Sequence, residues 1–203
     1  MASTRAGHIA RALTVLLGIA LLVVGIVLLL RPAPGFDVQG HRGARGLLPE
    51  NTMPAFTLAD DLGVTTLEMD TKVTKDGVLV VTHDSTLNPD LVRDAAGQWV
   101  NEGIPLNSLT LDEVQKLDVG RLRPGSAYGQ RFPEQQPIDG TRIPTLREVL
   151  DTFRDRSQVR FNIETKIEPD HPDHSPDPAD FSRKLVDELR SAGVDQRSTI
   201  QSF

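Results

Sequence analysis

The chain has 203 residues, 38% of them apolar, and a formal net charge of −6, the balance of an ordinary globular protein. No basic stripe is present to neutralise phosphates along a duplex, which argues against nucleic acid as a partner. The chain has no cysteine, which excludes disulfides and thiolate metal sites and leaves the compartment open.

From Ala12 to Leu30 the sequence "ALTVLLGIALLVVGIVLLL" carries no charge, and Arg5 and Arg11 precede it. Its length matches a helical crossing of a bilayer core of roughly 30 Å. A cleaved signal peptide has a shorter apolar region, of about 7–15 residues, and a small-x-small cleavage site. Here Arg31 and two prolines in "LLLRPAPG" spoil such a site. Residues 12–30 are therefore read as an uncleaved single-pass transmembrane anchor. Arg5, Arg11 and the amino terminus weigh against Arg31, Arg42 and Arg45 across the span, a thin bias toward a cytoplasmic segment 1–11. That orientation puts the rest of the chain outside the cytoplasm. "RPAPG" (31–35) is a short stiff linker, and the soluble domain runs over 36–203.

Within that domain the pattern alternates strands and helices. "FDVQG" reads as a short strand, and Thr52 to Leu62 as a helix stopped by Gly63. "VTTLEMDTKVT" (64–74) and "GVLVVTH" (77–83) are two strands joined by the turn "KDG". "TLDEVQKL" and "TLREVLDTF" both open on Thr-x-x-Glu, a capping box that fixes helix starts at Thr110/Glu113 and Thr145/Glu148. "VRFNIETKI" (159–167) is another strand. "EPDHPDHSPDPAD" (168–180) reads as a solvated loop in preference to a metal-binding tract on His171 and His174. The next helix has Asp177 as cap, Pro178 at its first position and Gly193 as terminator. Its Phe181, Leu185 and Leu189 share one face. "STIQSF" begins a further strand. Such alternation predicts an α/β fold with a mainly parallel sheet.

Chemistry emerges when the strands are read with period two. Leu67 and Met69 point one way, Glu68 and Asp70 the other. Phe161 and Ile163 share the apolar side of the later strand; Asn162, Glu164 and Lys166 share the polar side. Two strands that each end in a charged cluster favour convergence on a site. Glu68, Asp70 and Glu164 would form an oxygen-rich cage suited to a hard divalent cation, Ca²⁺ or Mg²⁺. His41 and His83 stand at equivalent strand ends, and histidine titrates near neutrality. Arg42 and Lys166 add fixed positive charge. Together these groups make a site for a phosphate ester, with imidazoles moving protons on and off the attacking and leaving groups.

"HRGARGLLPENTMPAF", "LEMDTKVTKDGVLVVTHD", "RIPTLREVL" and "FNIETK" closely resemble the glycerophosphodiester phosphodiesterases. The resemblance runs from about Phe36 to the last residue, and "LDVGRLRPGSAYGQRFPEQQPIDGTRIPTL" is similar to the insert of bacterial members. It implies a (β/α)₈ TIM-type barrel with the site at the C-terminal ends of the strands. It also implies Glu68, Asp70 and Glu164 as metal ligands, and His41 and His83 as general acid and base in an order left open. Arg42 and Lys166 would then hold the phosphate, and Glu50 and Asn51 would shape the site loop. The implied reaction cleaves a glycerophosphodiester, a small-molecule substrate, to an alcohol and sn-glycerol 3-phosphate. A neighbouring glycerol hydroxyl can attack phosphorus first, through a cyclic intermediate, as in the related phosphoinositide phospholipases.

A complete barrel of this type typically needs about 250 residues, more than 36–203 provides. Five strands of eight are expected: "FDVQG", "TTLEMD", "VLVVT", "RFNIE" and "STIQS". The chain is thus expected to be a C-terminally truncated barrel. The alternatives to a phosphodiesterase are a phospholipase D-like or lysophospholipase D-like hydrolase acting on lipids, and an inactive fragment tethered to the membrane.

Overall fold

A computed structural model of the chain describes residues 36–203 apart from position 169. The anchor reading of 12–30 and the linker 31–35 lie outside the described residues. Among the described residues no helix is long and apolar enough to cross a membrane.

Four strands form a parallel sheet. β1 (Gln39–Gly40) pairs with β2 (Thr66–Val73), β2 with β4 (Arg160–Thr165), and β4 with β5 (Ser198–Gln201). β3 (Leu79–Val81) lies off this path, antiparallel to β2 at Thr71, Lys72 and Val73. The expected count of five barrel strands is therefore corrected. "VLVVT" is the return arm of a hairpin, since "KDG" is far too short for the crossover that a parallel neighbour requires. The four parallel strands follow one another in chain order, as successive strands of a barrel do.

Helices fill the connections, and side-chain caps, three of the four read from the sequence, fix where they start. α1 (Met53–Asp61) is capped by the Thr52 hydroxyl, which accepts from the Ala55 amide, and Gly63 past its end has φ 82°. α2 (Leu111–Val114) is a single turn that keeps its full capping box on Thr110 and Glu113. α3 (Leu146–Phe153) has the same device on Thr145 and Glu148, where the Thr145 amide donates to Glu148 at 2.7 Å. α4 (Pro178–Ala192) starts at Asp177, whose carboxylate accepts from the Ala179 amide at 2.9 Å, and ends at Gly193 with φ 70°. That left-handed residue is one that glycine adopts without a Cβ penalty.

One apolar layer joins sheet to helices. Leu67, Met69, Phe161 and Ile163 bury against Phe56 of α1, Leu146, Leu150 and Phe153 of α3, and Phe181, Leu185 and Leu189 of α4. Truncating a buried aromatic here, Phe161 or Phe181, should cost about 3–5 kcal/mol. The long excursion between β3 and α3 has its own smaller core of Leu87, Val92, Leu106, Val114 and Ile143, seated on Val80 of β3. With the helices covering one sheet face, the other face is left to the polar side chains.

Candidate active site

Parallel register determines which of those polar side chains meet. Asp70 on β2 lies opposite Glu164 on β4, which lies opposite Gln201 on β5. Glu68 sits one side-chain repeat below Asp70. Each of Glu68, Asp70 and Glu164 is buried, and each offers a carboxylate oxygen within 4.8 Å of the others.

The segment after β1 closes over this cluster. The Arg42 amide donates to Glu68 Oε2 at 2.8 Å, and His41 Nε2 lies 3.8 Å from the same oxygen. Arg42 Nη1 donates to Glu50 Oε1 at 2.6 Å, and its Nε stands 3.0 Å from Asp70 Oδ2. Asn51 Nδ2 donates to that oxygen at 2.8 Å. Arg42 and Asn51 have left-handed backbones, with φ 56° and 55°, a conformation that costs non-glycine residues of order 1–3 kcal/mol each and clusters at functional sites. Gly43 explains the glycine in "HRG". A Cβ there would stand 2.7 Å from the Ala55 carbonyl carbon, and φ is 77°.

Lys166, just past β4, donates to Glu164 Oε1 at 2.6 Å and stands 3.9 Å from Asp70 Oδ1. His83 is two residues beyond β3, where the amide of Thr82 donates to the Asp70 carbonyl at 3.0 Å. Its Nδ1 is 2.6 Å from Asp84 Oδ1. All nine residues singled out from the sequence thus lie on this sheet face or on the segments that close over it.

Several neighbours escaped the sequence reading. Tyr128, from the long excursion, donates its hydroxyl to Glu50 Oε2 and accepts from Arg42 Nη1 at 3.5 Å. Burial and then Glu50 push the Tyr128 hydroxyl up to about 12, so it stays a donor. Gln201 Nε2 donates to Glu68 Oε1 at 3.2 Å, and Arg45 Nη2 meets His41 Nδ1 at 2.9 Å. Gln201 was findable from its period-two position, and Asp84 from its place beside His83. Tyr128 sits in irregular chain with no periodic signal.

The electrostatics fit a hard cation. Burial, then the Asp70 charge, pushes Glu68 up to about 7, with Glu164 adding to it. Asp70 Oδ1 is buried without a hydrogen-bond partner. Crowded, desolvated carboxylates with an orphaned oxygen are what a divalent ion with oxygen preference neutralises. His41 is lowered by burial, then by Arg45 and Arg42. Arg42 is held above its usual value: burial opposes its charge, but Glu50 and Asp70 more than offset that.

A parallel α/β sheet bearing three convergent carboxylates, two imidazoles and two cations gathers on one face the kinds of group that metal-assisted phosphoester chemistry uses. Residues 41–203 match the sequence profile of the Glycerophosphoryl diester phosphodiesterase family, and the chain belongs to that family, whose fold is the (β/α)₈ barrel. It is 34% identical to a glycerophosphodiester phosphodiesterase of Caldanaerobacter subterraneus subsp. tengcongensis, over 82% of this chain and 57% of that protein. A crystal structure named as a putative glycerophosphoryl diester phosphodiesterase from Silicibacter pomeroyi superposes with a TM-score of 0.78 at 34% identity, covering 85% of this chain and 60% of that one. A mouse protein named lysophospholipase D is 34% identical over 63% of this chain and 35% of its own length. The chain thus spans less than two thirds of each of these relatives.

Proposed function

We propose that the chain hydrolyses glycerophosphodiesters to an alcohol and sn-glycerol 3-phosphate. The observation that carries this reading is the convergence of Glu68, Asp70 and Glu164, with Asp70 Oδ1 unpartnered, beside His41. Those three carboxylates would hold Ca²⁺ or Mg²⁺, which when bound supplies positive charge to the phosphoryl oxygens. Lys166 binds the phosphate by exchanging its contact with Glu164 for a substrate oxygen. Arg42, with Nη1 donating to Glu50 and Nε in charge contact with Asp70, has Nη2 left for the same purpose.

The imidazoles have opposite partners. Asp84 holds the hydrogen of His83 on Nδ1, so Nε2 carries the lone pair that accepts a proton from the attacking oxygen. Arg45 can only donate, so His41 Nδ1 is an acceptor in the free protein and Nε2 carries the hydrogen. His41 Nε2–H therefore faces the leaving oxygen; to act as imidazolium His41 takes a solvent proton on Nδ1, which displaces the Arg45 contact, once the anionic diester counters Arg45 and Arg42. Whether water or the neighbouring glycerol hydroxyl attacks, His83 takes the proton and His41 returns one.

The assay is release of glycerol 3-phosphate from glycerophosphocholine and glycerophosphoethanolamine by the full chain with Ca²⁺ or Mg²⁺. Turnover abolished by EDTA and lowered about 10²–10⁴-fold by His41→Ala or His83→Ala fits the reading. Turnover indifferent to metal and to both substitutions overturns it.

A lipid substrate is the second reading. A recess has Glu50, Asn51 and His83 among its lining and apolar walls that include Leu87, Leu91 and Ile143, a surface suited to an acyl chain, though its interior of about 30 Å³ would have to widen to admit one. Lysophosphatidylcholine in the same assay separates the two. The uncharged segment 12–30 supports a membrane location, and the thin arginine bias across it supports a domain outside the cytoplasm; carbonate extraction and protease accessibility of intact cells test both.

A further inference from the structure

The loop between β4 and α4 carries a second group of metal donors, unconnected with the carboxylate cage in chemistry. Residues Pro172–His174 form a 3₁₀ turn. At three residues per turn, side chains at i and i+3 eclipse. This brings the rings of His171 and His174 into a stack, with centroids 4.8 Å apart and planes at 14°. One donor atom from each of His171, Asp173 and His174 lies within 4.8 Å of the others.

His174 is the anchor of the group. Its side chain is only 17% exposed, its Nδ1 is buried without a hydrogen-bond partner, and that nitrogen is 3.9 Å from Glu168 Oε2. Its Nε2 is 3.9 Å from Asp173 Oδ2. One ring nitrogen therefore faces the candidate ligands while the other faces a carboxylate. A shortening of the Glu168 contact to a hydrogen bond would complete the outer-shell arrangement that orients metal-binding histidines and raises their basicity. Glu168 is itself fixed by the Ser85 hydroxyl and by Lys72 Nζ at 3.7 Å.

We propose that His171, Asp173 and His174 bind one Zn²⁺-class ion, with Glu168 bonded to His174 Nδ1 behind it. Two imidazoles and one carboxylate form a borderline donor set that suits Zn²⁺ or Co²⁺, whereas the all-carboxylate cage suits Ca²⁺ or Mg²⁺. Ligands about 2.0–2.1 Å from a tetrahedral zinc stand about 3.4 Å from one another, so the exposed loop must draw in by about 1 Å and the exposed His171 ring must turn out of the stack to aim its in-plane lone pair at the same ion. A fourth position is left for water. The ion would fasten the loop that follows Lys166, because Lys72, which meets Glu168, also donates to the Lys166 carbonyl at 2.7 Å.

The test titrates Co²⁺ into the full chain in saturating Mg²⁺, followed by visible absorption, with Zn²⁺ as competitor. One equivalent giving d–d bands is expected, displaced by Zn²⁺, retained in Asp70→Asn and lost in His174→Ala. His171→Asn, at an exposed position, serves as the second variant should His174→Ala fail to fold. Absence of bands in the wild type, or bands unchanged in His171→Asn, overturns the site. Bands lost in Asp70→Asn but kept in the histidine variant would assign the ion to the cage and overturn it equally.

Discussion

Arg42 and Asn51 end on the same atom. Arg42 Nε stands 3.0 Å from Asp70 Oδ2 and Asn51 Nδ2 donates to it at 2.8 Å, while the Asn51 amide donates to the Arg42 carbonyl at 3.0 Å. Both residues are in the left-handed region. The Asn51 hydrogen bond and the Arg42 charge both fall on one carboxylate oxygen, while the other, Oδ1, makes no hydrogen bond and stands 3.9 Å from Lys166 Nζ.

Asn51 can be taken apart by two substitutions. Asn51→Gly keeps the backbone conformation at no steric cost but loses the bond to Asp70; Asn51→Ala loses both. The glycine variant should be about 1–2 kcal/mol less stable than wild type and the alanine variant about 1 kcal/mol worse again. Urea unfolding of the full chain checks the ranking; equal stability of the two would contradict a strained backbone at this position.

Gly43→Ala should be more damaging than either. Its new methyl meets the backbone of Ala55 at the first turn of α1, and φ is 77°. A loss of about 2–4 kcal/mol is expected, with lowered metal affinity because the Arg42 amide leaves Glu68. A thermal melt and a metal titration of the same sample read both effects.

The raised proton affinity of Glu68 makes cation binding pH-linked. With a folded value of about 7 against an ordinary 4.5, this group favours the metal-free fold at low pH, and that contribution is lost as pH rises through the window from 4.5 to 7. A bound cation requires the carboxylate, so its stabilising effect should grow with pH over the same window and level off above 7. Melting temperatures with and without Ca²⁺ from pH 5 to 8 check this; a pH-independent increment would contradict it.

Arg45 should set the titration of His41. Burial, Arg45 and Arg42 lower that imidazole, so Arg45→Ala should raise it. If His41 donates its proton as imidazolium, the alkaline limb of the kcat/KM profile moves to higher pH in the variant. Movement of the acid limb instead would assign His41 as the base.

Much of the site was legible because strands enforce period two. Glu68, Asp70 and Glu164 share a face through backbone pleating, and "FNIETK" and "LEMDT" state it openly. The helix caps at Thr110, Thr145 and Asp177 are local hydrogen bonds and were equally readable, whereas Thr52, read as the first helical residue, is the cap. Pairing partners were not. Leu79–Val81 is as β-prone as any strand, and only the brevity of "KDG" marks it as a hairpin arm and not a barrel stave. Tyr128 reaches Glu50 across 78 residues of chain, a contact that only tertiary packing creates. The eclipsed histidines at 171 and 174 depend on a 3₁₀ turn that an Asp/Pro-rich loop does not announce.

Calorimetric titration of Ca²⁺ and Mg²⁺ into the full chain tests the cage most directly, with Glu68→Gln, Asp70→Asn and Glu164→Gln as comparisons. One tight equivalent is expected for the wild type, weakened at least about tenfold by each neutralised carboxylate. A stoichiometric ion bound with unchanged affinity in all three variants would contradict the account.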